Sequence, residues 1–279
     1  MRAAASLLVF CLAAAPDETS NEVPLLNVEI VDREGVTTKL TGFHRVSGEN
    51  RFQGYLGAGE IEVPYTRVRE VRVLAPERPG ARMRAHLTLR SGEVVHATFD
   101  EREGEQLFSG FATFGRVTVF FRDLRHVAIL GRTARDDLPD FGPAVEGVDA
   151  RVTDREGVRT ELVRFRRTGS ESTVPGARGA AHVAIPLRIL SRLEVEADPK
   201  GADLAATATL RGGETLKFRI PVYEEQTVYR GDAAFGVLRI RLGRIREIEV
   251  HNTTPQLREL DPLAAARGRE VADDREGGR

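Results

Sequence analysis

The chain has 279 residues, 41% of them hydrophobic and 30% charged, a balance that excludes a disordered protein and suits two domains of ordinary size. Its 41 basic residues nearly cancel 42 acidic ones, and a formal net charge of −1 provides no chain-wide field to recruit nucleic acid or an anionic membrane. Cys11 is the only cysteine, which excludes an intramolecular disulfide and a thiolate metal cluster.

At the N-terminus, Arg2 precedes an apolar run from Ala3 to Ala15, and polar Asp17-Glu18-Thr19-Ser20 follow. That run is too short for a membrane span and has the form of a signal h-region. The pattern predicts a signal peptide over 1–20 and an exported protein, periplasmic or extracellular. Bulky Phe10 before Cys11 argues against a lipid anchor there. No later segment approaches the length of apolar chain that a helical span needs, so the mature chain is expected to lack a transmembrane segment.

The first strand-rich stretch covers 26–74. Val28 and Ile30, then Val36, Thr38 and Leu40, alternate with polar residues around Asp32-Arg33-Glu34-Gly35. Period-two alternation marks half-buried strands, and Asp with Gly in those positions suits a hairpin turn. Strands near Arg51–Leu56 and Glu60–Pro64 follow, then one helical turn at Tyr65-Thr66-Arg67-Val68 and a last strand. The stretch 83–130 keeps the plan, with Ser91-Gly92 as its hairpin turn and Phe108, Gly110, Phe114 and Gly115 before Val117, Val119 and Phe121. Residues 131–147, with Pro139, Pro143 and no strand periodicity, form a predicted linker. Stretches 148–196 and 205–250 repeat the pattern. The charged segment 253–279 is expected to be a disordered tail.

These stretches are copies. Asp32-Arg33-Glu34-Gly35-Val36 recurs as Asp154-Arg155-Glu156-Gly157-Val158, and Pro64 recurs as Pro186 at the same offset. Gly110 and Gly115 recur as Gly231 and Gly236 one residue closer, while Gly54/Gly59 and Gly176/Ala181 complete a Gly-x4-Gly series. A unit of about fifty residues was doubled, and the doublet doubled again. The predicted fold is all-β: four internal repeats forming two homologous β-barrel or β-sandwich domains, 21–130 and 148–252. One unit alone buries too little apolar surface, so paired units are expected to share a core. The recurring glycines precede strands rather than helices, which points to bends or close backbone approach and away from a phosphate loop.

The order strand, turn, three strands, helical turn, strand, with Leu89-Arg90-Ser91-Gly92-Glu93, Phe108-Ser109-Gly110-Phe111 and Phe114-Gly115-Arg116-Val117-Thr118-Val119, resembles tandem SH3-like or Sm-like small β-barrel repeats of exported bacterial proteins. The resemblance implies barrels that act as binding or spacer units.

Candidate chemistry is sparse. His44, His86, His96, His126, His182 and His251 show no metal-ligand spacing, although His86 and His96 flank one hairpin with Glu93 between them. Asp32, Glu34, Asp154 and Glu156 occupy duplicated turns and are assigned turn duty. Asp136, Asp137 and Asp140 offer a calcium alternative in the linker. Phe120-Phe121, adjacent on one strand, should place one ring outward and form a partner surface. The sequence therefore predicts no enzyme, no cofactor and no metal, but a protein-binding or structural module whose partner is another envelope protein. Two alternatives stand beside it. One is a hydrolase or binding protein for cell-wall polysaccharide, which requires a buried acid present in a single repeat. The other is Sm-like nucleic-acid binding through Arg122, Arg125, Arg164, Arg166 and Arg167, which the neutral charge opposes.

Overall fold

A hairpin opens the fold. Strand β1 (Leu26–Asp32) buries every second residue, and Asp32 closes the turn by accepting a hydrogen bond from the Val36 N–H at 2.8 Å while Gly35 takes a φ of 82°. Strand β2 (Thr37–Arg45) returns beside it. In a computed structural model, the structure describes residues 25–49, 51–57, 59–75, 82–134, 138, 147–169, 172–197 and 202–251. The signal at 1–20, the tail at 253–279 and the acidic trio Asp136, Asp137 and Asp140 lie outside the described residues.

The remaining strands of the first half are β3 (Arg51–Leu56), β4 (Gly59–Pro64), β5 (Val68–Val73), β6 (Met83–Leu89), β7 (Val94–Phe99), β8 (Leu107–Ala112), β9 (Gly115–Phe120) and β10 (Leu124–Arg132). Short 3-10 turns at Tyr65–Arg67 and Phe121–Asp123 separate β4 from β5 and β9 from β10. Strand β10 continues through Gly131 and Arg132, which pair with Asn27 and Leu26, so the linker begins after them. The second half supplies β11 (Val148–Asp154), β12 (Arg159–Arg167), β13 (Thr173–Arg178), β14 (Ala181–Pro186), β15 (Leu190–Ala197), β16 (Leu204–Leu210), β17 (Thr215–Ile220), β18 (Val228–Ala233), β19 (Gly236–Arg241) and β20 (Ile245–Val250). Among the described residues no helix is long and apolar enough to cross a membrane.

All pairings are antiparallel. In the first half they give the order β4-β3-β7-β6-β5-β10-β1-β2-β8-β9. In the second they give β14-β13-β17-β16-β15-β20-β11-β12-β18-β19, the same order strand for strand. Strand β9 then pairs with β14, and the two halves become one 20-stranded sheet.

Within each half the repeats exchange strands. The β1–β2 and β3–β4 hairpins of the first repeat do not pair with each other; β2 joins β8 and β3 joins β7 of the second repeat. Their side chains meet in one aromatic core. Phe52 lies 6.5 Å from Phe99, 6.5 Å from Phe108 and 5.5 Å from Phe121, and Phe43 stacks on Phe108 at 5.1 Å. Gly54 and Gly110 permit this crossing. A Cβ on Gly54 would lie 2.7 Å from the Thr98 carbonyl oxygen, and one on Gly110 would press on Leu40 and Phe43. In the second half, Phe165 stacks on Tyr229 at 5.4 Å, and the buried Tyr229 hydroxyl donates to the Thr173 carbonyl at 2.7 Å.

Candidate functional site

The sheet has two ends, β4 and β19, whose outer edges carry no strand partner among the described residues. Both alternate apolar and charged residues. Ile61 and Val63 on β4, and Leu238 and Ile240 on β19, point toward the core and remain partly buried against it. The intervening positions are exposed and of opposite charge: Glu60 and Glu62 on β4, Arg239 on β19, with Arg241 at that strand's end. Three large apolar side chains stand out beside these edges. Leu56 is 53% exposed next to β4, and Phe235 and Val237 are 74% and 56% exposed at the start of β19.

The β9–β14 junction shows the same strand type closed. Thr118 faces His182, Val117 faces Val183 and Arg116 faces Ala184. Val117, Val119, Val183 and Ile185 are all buried, as is Phe114, 5.7 Å beneath the Arg178 guanidinium. Hydrogen bonds lock the neighbouring hairpins. Asp32 accepts from the Ala180 N–H at 2.8 Å in addition to closing its own turn, and Arg178 donates to the Thr38 hydroxyl at 2.8 Å. Arg219 reaches Glu34 at 3.4 Å. Turn duty for Asp32 thus carries a second task, holding the two halves together. Asp154 performs only the first, accepting from Glu156 and Val158 N–H groups at 2.9 Å.

Beside β3 and β4 lies a cavity of about 360 Å³, lined by Arg45, Gln53, Tyr55, Glu60, Glu62 and Glu103 among others. Arg45 is buried and binds Glu103 at 3.2 Å, Gln106 at 3.0 Å and Glu49. Burial raises the Glu103 carboxyl above its ordinary pKa, and the Arg45 charge opposes that rise. This acid is not unique to one repeat. Arg167 and Glu224 occupy the duplicated positions and pair at 3.6 Å, each about one-quarter exposed. The arginine–glutamate pair is kept in both halves, but burial of its acid is particular to the first, where Glu103 is 5% exposed.

Of the two residues expected to form a partner surface, Phe121 is buried and Phe120 is partly exposed. Phe120 ends β9 and Phe121 begins the 3-10 turn, so strand alternation does not apply between them. Phe121 is 1% exposed within the aromatic core, and Phe120 is partly buried with Arg122 5.1 Å over its ring. His86 and His96 face each other across β6 and β7 with rings 4.4 Å apart. Among the described residues no group of three or more His, Cys, Asp or Glu side chains is placed to hold a metal ion. Of the arginines considered for nucleic acid, Arg122 pairs with Glu105, Arg164 with Asp232 and Arg167 with Glu224.

The residues at the sheet ends were missed at the level of sequence, although a signal was present. Aligning the repeats places Glu60 and Arg239 where the junction strands carry His182 and Thr118, so the copies diverge in charge only at their outward positions. In comparisons with known proteins, no curated protein and no solved structure matches. Residues 22–132, a span that contains β1 through β10, match a family model described as an uncharacterised protein.

Proposed function

We propose that the chain is a non-catalytic, exported β-repeat protein that binds or spaces other proteins in the bacterial envelope through the open ends of its sheet. The observation that carries this reading is the pair of unpartnered edges, β4 and β19, each backed by half-buried apolar side chains. An exposed edge offers a row of backbone donors and acceptors to an added strand, and the flanking side chains select which strand is accepted. The export part rests on the signal pattern of residues 1–20. The strand orders β5-β6-β7-β3-β4 and β10-β1-β2-β8-β9 repeat one five-strand arrangement, which supports the small-barrel resemblance.

The test is capture from envelope extract on immobilised protein, run beside Ile61→Lys and Leu238→Lys. An inward-pointing lysine is a device by which natural edges avoid pairing. A partner held by the unmodified chain and lost with either lysine is expected. A captured set indifferent to both substitutions contradicts the reading.

A further inference from the structure

We propose that the strand added at these ends belongs to a second copy of this chain: β19 of one molecule pairs antiparallel with β4 of the next, repeating between molecules the β9–β14 pairing inside each one. This rests on the edge-binding reading and names its partner.

The first support is duplication. Strand β19 is the copy of β9, with Leu238 and Ile240 in place of Val117 and Val119, and β4 is the copy of β14, with Ile61 and Val63 in place of Val183 and Ile185. The backbone at the ends already has the junction's shape. Gly115 has a φ of 133° and approaches β14 so closely that a Cβ would strike the Ala184 carbonyl; Gly236, its copy, has a φ of 125° and nothing within 4 Å. Gly179 has a φ of 61° and lies against Asp32 and Val36; Gly57, its copy, has a φ of 62° and open space. Each end keeps the conformation used at the junction while the neighbour is missing.

Charge decides which ends meet. Carrying the junction register to the copied strands sets Arg239 opposite Glu60, Leu238 opposite Ile61 and Val237 opposite Glu62. Opposite charges face each other across the new ladder, which favours it. Pairing β4 with another β4 in that register sets Glu60 against Glu62 twice, and pairing β19 with β19 lines up Arg239 and Arg241 of both copies along one seam. Like charges directly opposite disfavour the β4 pair, and the four arginines gathered along one seam disfavour the β19 pair.

The exposed apolar residues match as well. At the junction Arg178 lies over Phe114, and their copies are Leu56 and Phe235, which are 53% and 74% exposed. Val36, covered by Gly179, has Val158 as its copy, 57% exposed. Seating β4 on β19 brings Leu56 to Phe235 and covers Val158. Because the two surfaces differ, every addition leaves one β4 and one β19 end open. Such a heterologous contact builds a filament, or a ring where the rotation per step closes.

Sedimentation of the purified full chain over a concentration series tests this. Species at whole multiples of the monomer mass, growing with concentration, are expected. Glu60→Arg and Arg239→Glu should each weaken assembly about tenfold or more, because each places like charges in register. An equimolar mixture of the two variants restores assembly, since every seam between them again pairs opposite charges, and this rescue also shows that both variants fold. A chain monomeric throughout, or oligomers unaffected by either reversal, overturns the proposal. If the chain is monomeric and the lysine variants still lose a captured partner, self-assembly fails and edge binding stands; if capture is also indifferent to them, both fail.

Discussion

Strands β9 and β14 in the middle of the sheet and strands β4 and β19 at its ends hold equivalent places in the strand order, yet the first pair is closed and the second open. Val117 and Val183 are 1% and 4% exposed at the junction, whereas their copies Leu238 and Ile61 are only partly covered. The inward residues hardly differ in character. The outward ones do: Thr118 and His182 face each other at the junction, while the ends carry Arg239 and Glu60. On the edge-binding reading, the shared inward residues make each such edge adhesive, and specificity comes from the outward positions that differ. Charged residues on an edge guard it against indiscriminate pairing and leave it open to a strand of complementary charge.

The largest expected contrast is between Phe114 and Phe235, copies of one residue. Phe114→Ala removes a buried ring and should cost about 3–5 kcal/mol, whereas Phe235→Ala should stay within about 0.5 kcal/mol in dilute protein. Chemical denaturation measures both, and equal losses would break the comparison between junction and end. A smaller contrast separates Gly115→Ala from Gly236→Ala. Both place a side chain at a φ that disfavours it, worth about 1–3 kcal/mol. Only Gly115→Ala also presses on the β14 backbone, adding about 1–3 kcal/mol of overpacking.

The cavity beside β4 adds a pH-dependent signature. Burial lifts Glu103 above its ordinary value of 4.5. The folded chain therefore holds that proton more tightly than the unfolded chain does. The contribution to stability is complete below pH 4.5 and is lost as pH rises through the raised value. Denaturation midpoints followed upward from pH 4.5 should show this loss in the unmodified chain and not in Glu103→Gln. An identical slope in both would contradict the assignment. The smallest effect is that of salt on assembly. An exposed pair such as Glu60 with Arg239 contributes about 0.2–1 kcal/mol, and in about 1 M salt, where the Debye length is near 3 Å, that contribution should disappear from the sedimentation profile.

Much of the all-β fold was legible because its signals are local. The alternation around Asp32 and Asp154, the turn glycines and the single helical turn after Pro64 are each set by neighbours within a few residues. Strand exchange was not legible. Alternation in β2 is satisfied equally by β3 of its own repeat or β8 of the next, and side-chain period does not choose between them. Phe121 was misplaced because the 3-10 turn at Phe121–Asp123 breaks the period of two and rotates the ring into the core beside Phe52 and Phe99. The Arg45–Glu103 pair joins residues of different repeats that only the exchanged topology brings together. The candidate site at the ends lay in plain view as alternating Glu60-Ile61-Glu62-Val63 and Leu238-Arg239-Ile240-Arg241. Its meaning required knowing that β9 and β14 pair and that β4 and β19 do not.

Amide hydrogen exchange, resolved strand by strand at low and high protein concentration, tests the central claim most directly. The account predicts that β9 and β14 are protected at both concentrations, and that β4 and β19 exchange quickly in dilute protein and become protected together as it is concentrated. Protection of β4 and β19 that does not change with concentration, or that rises on one strand without the other, would contradict it.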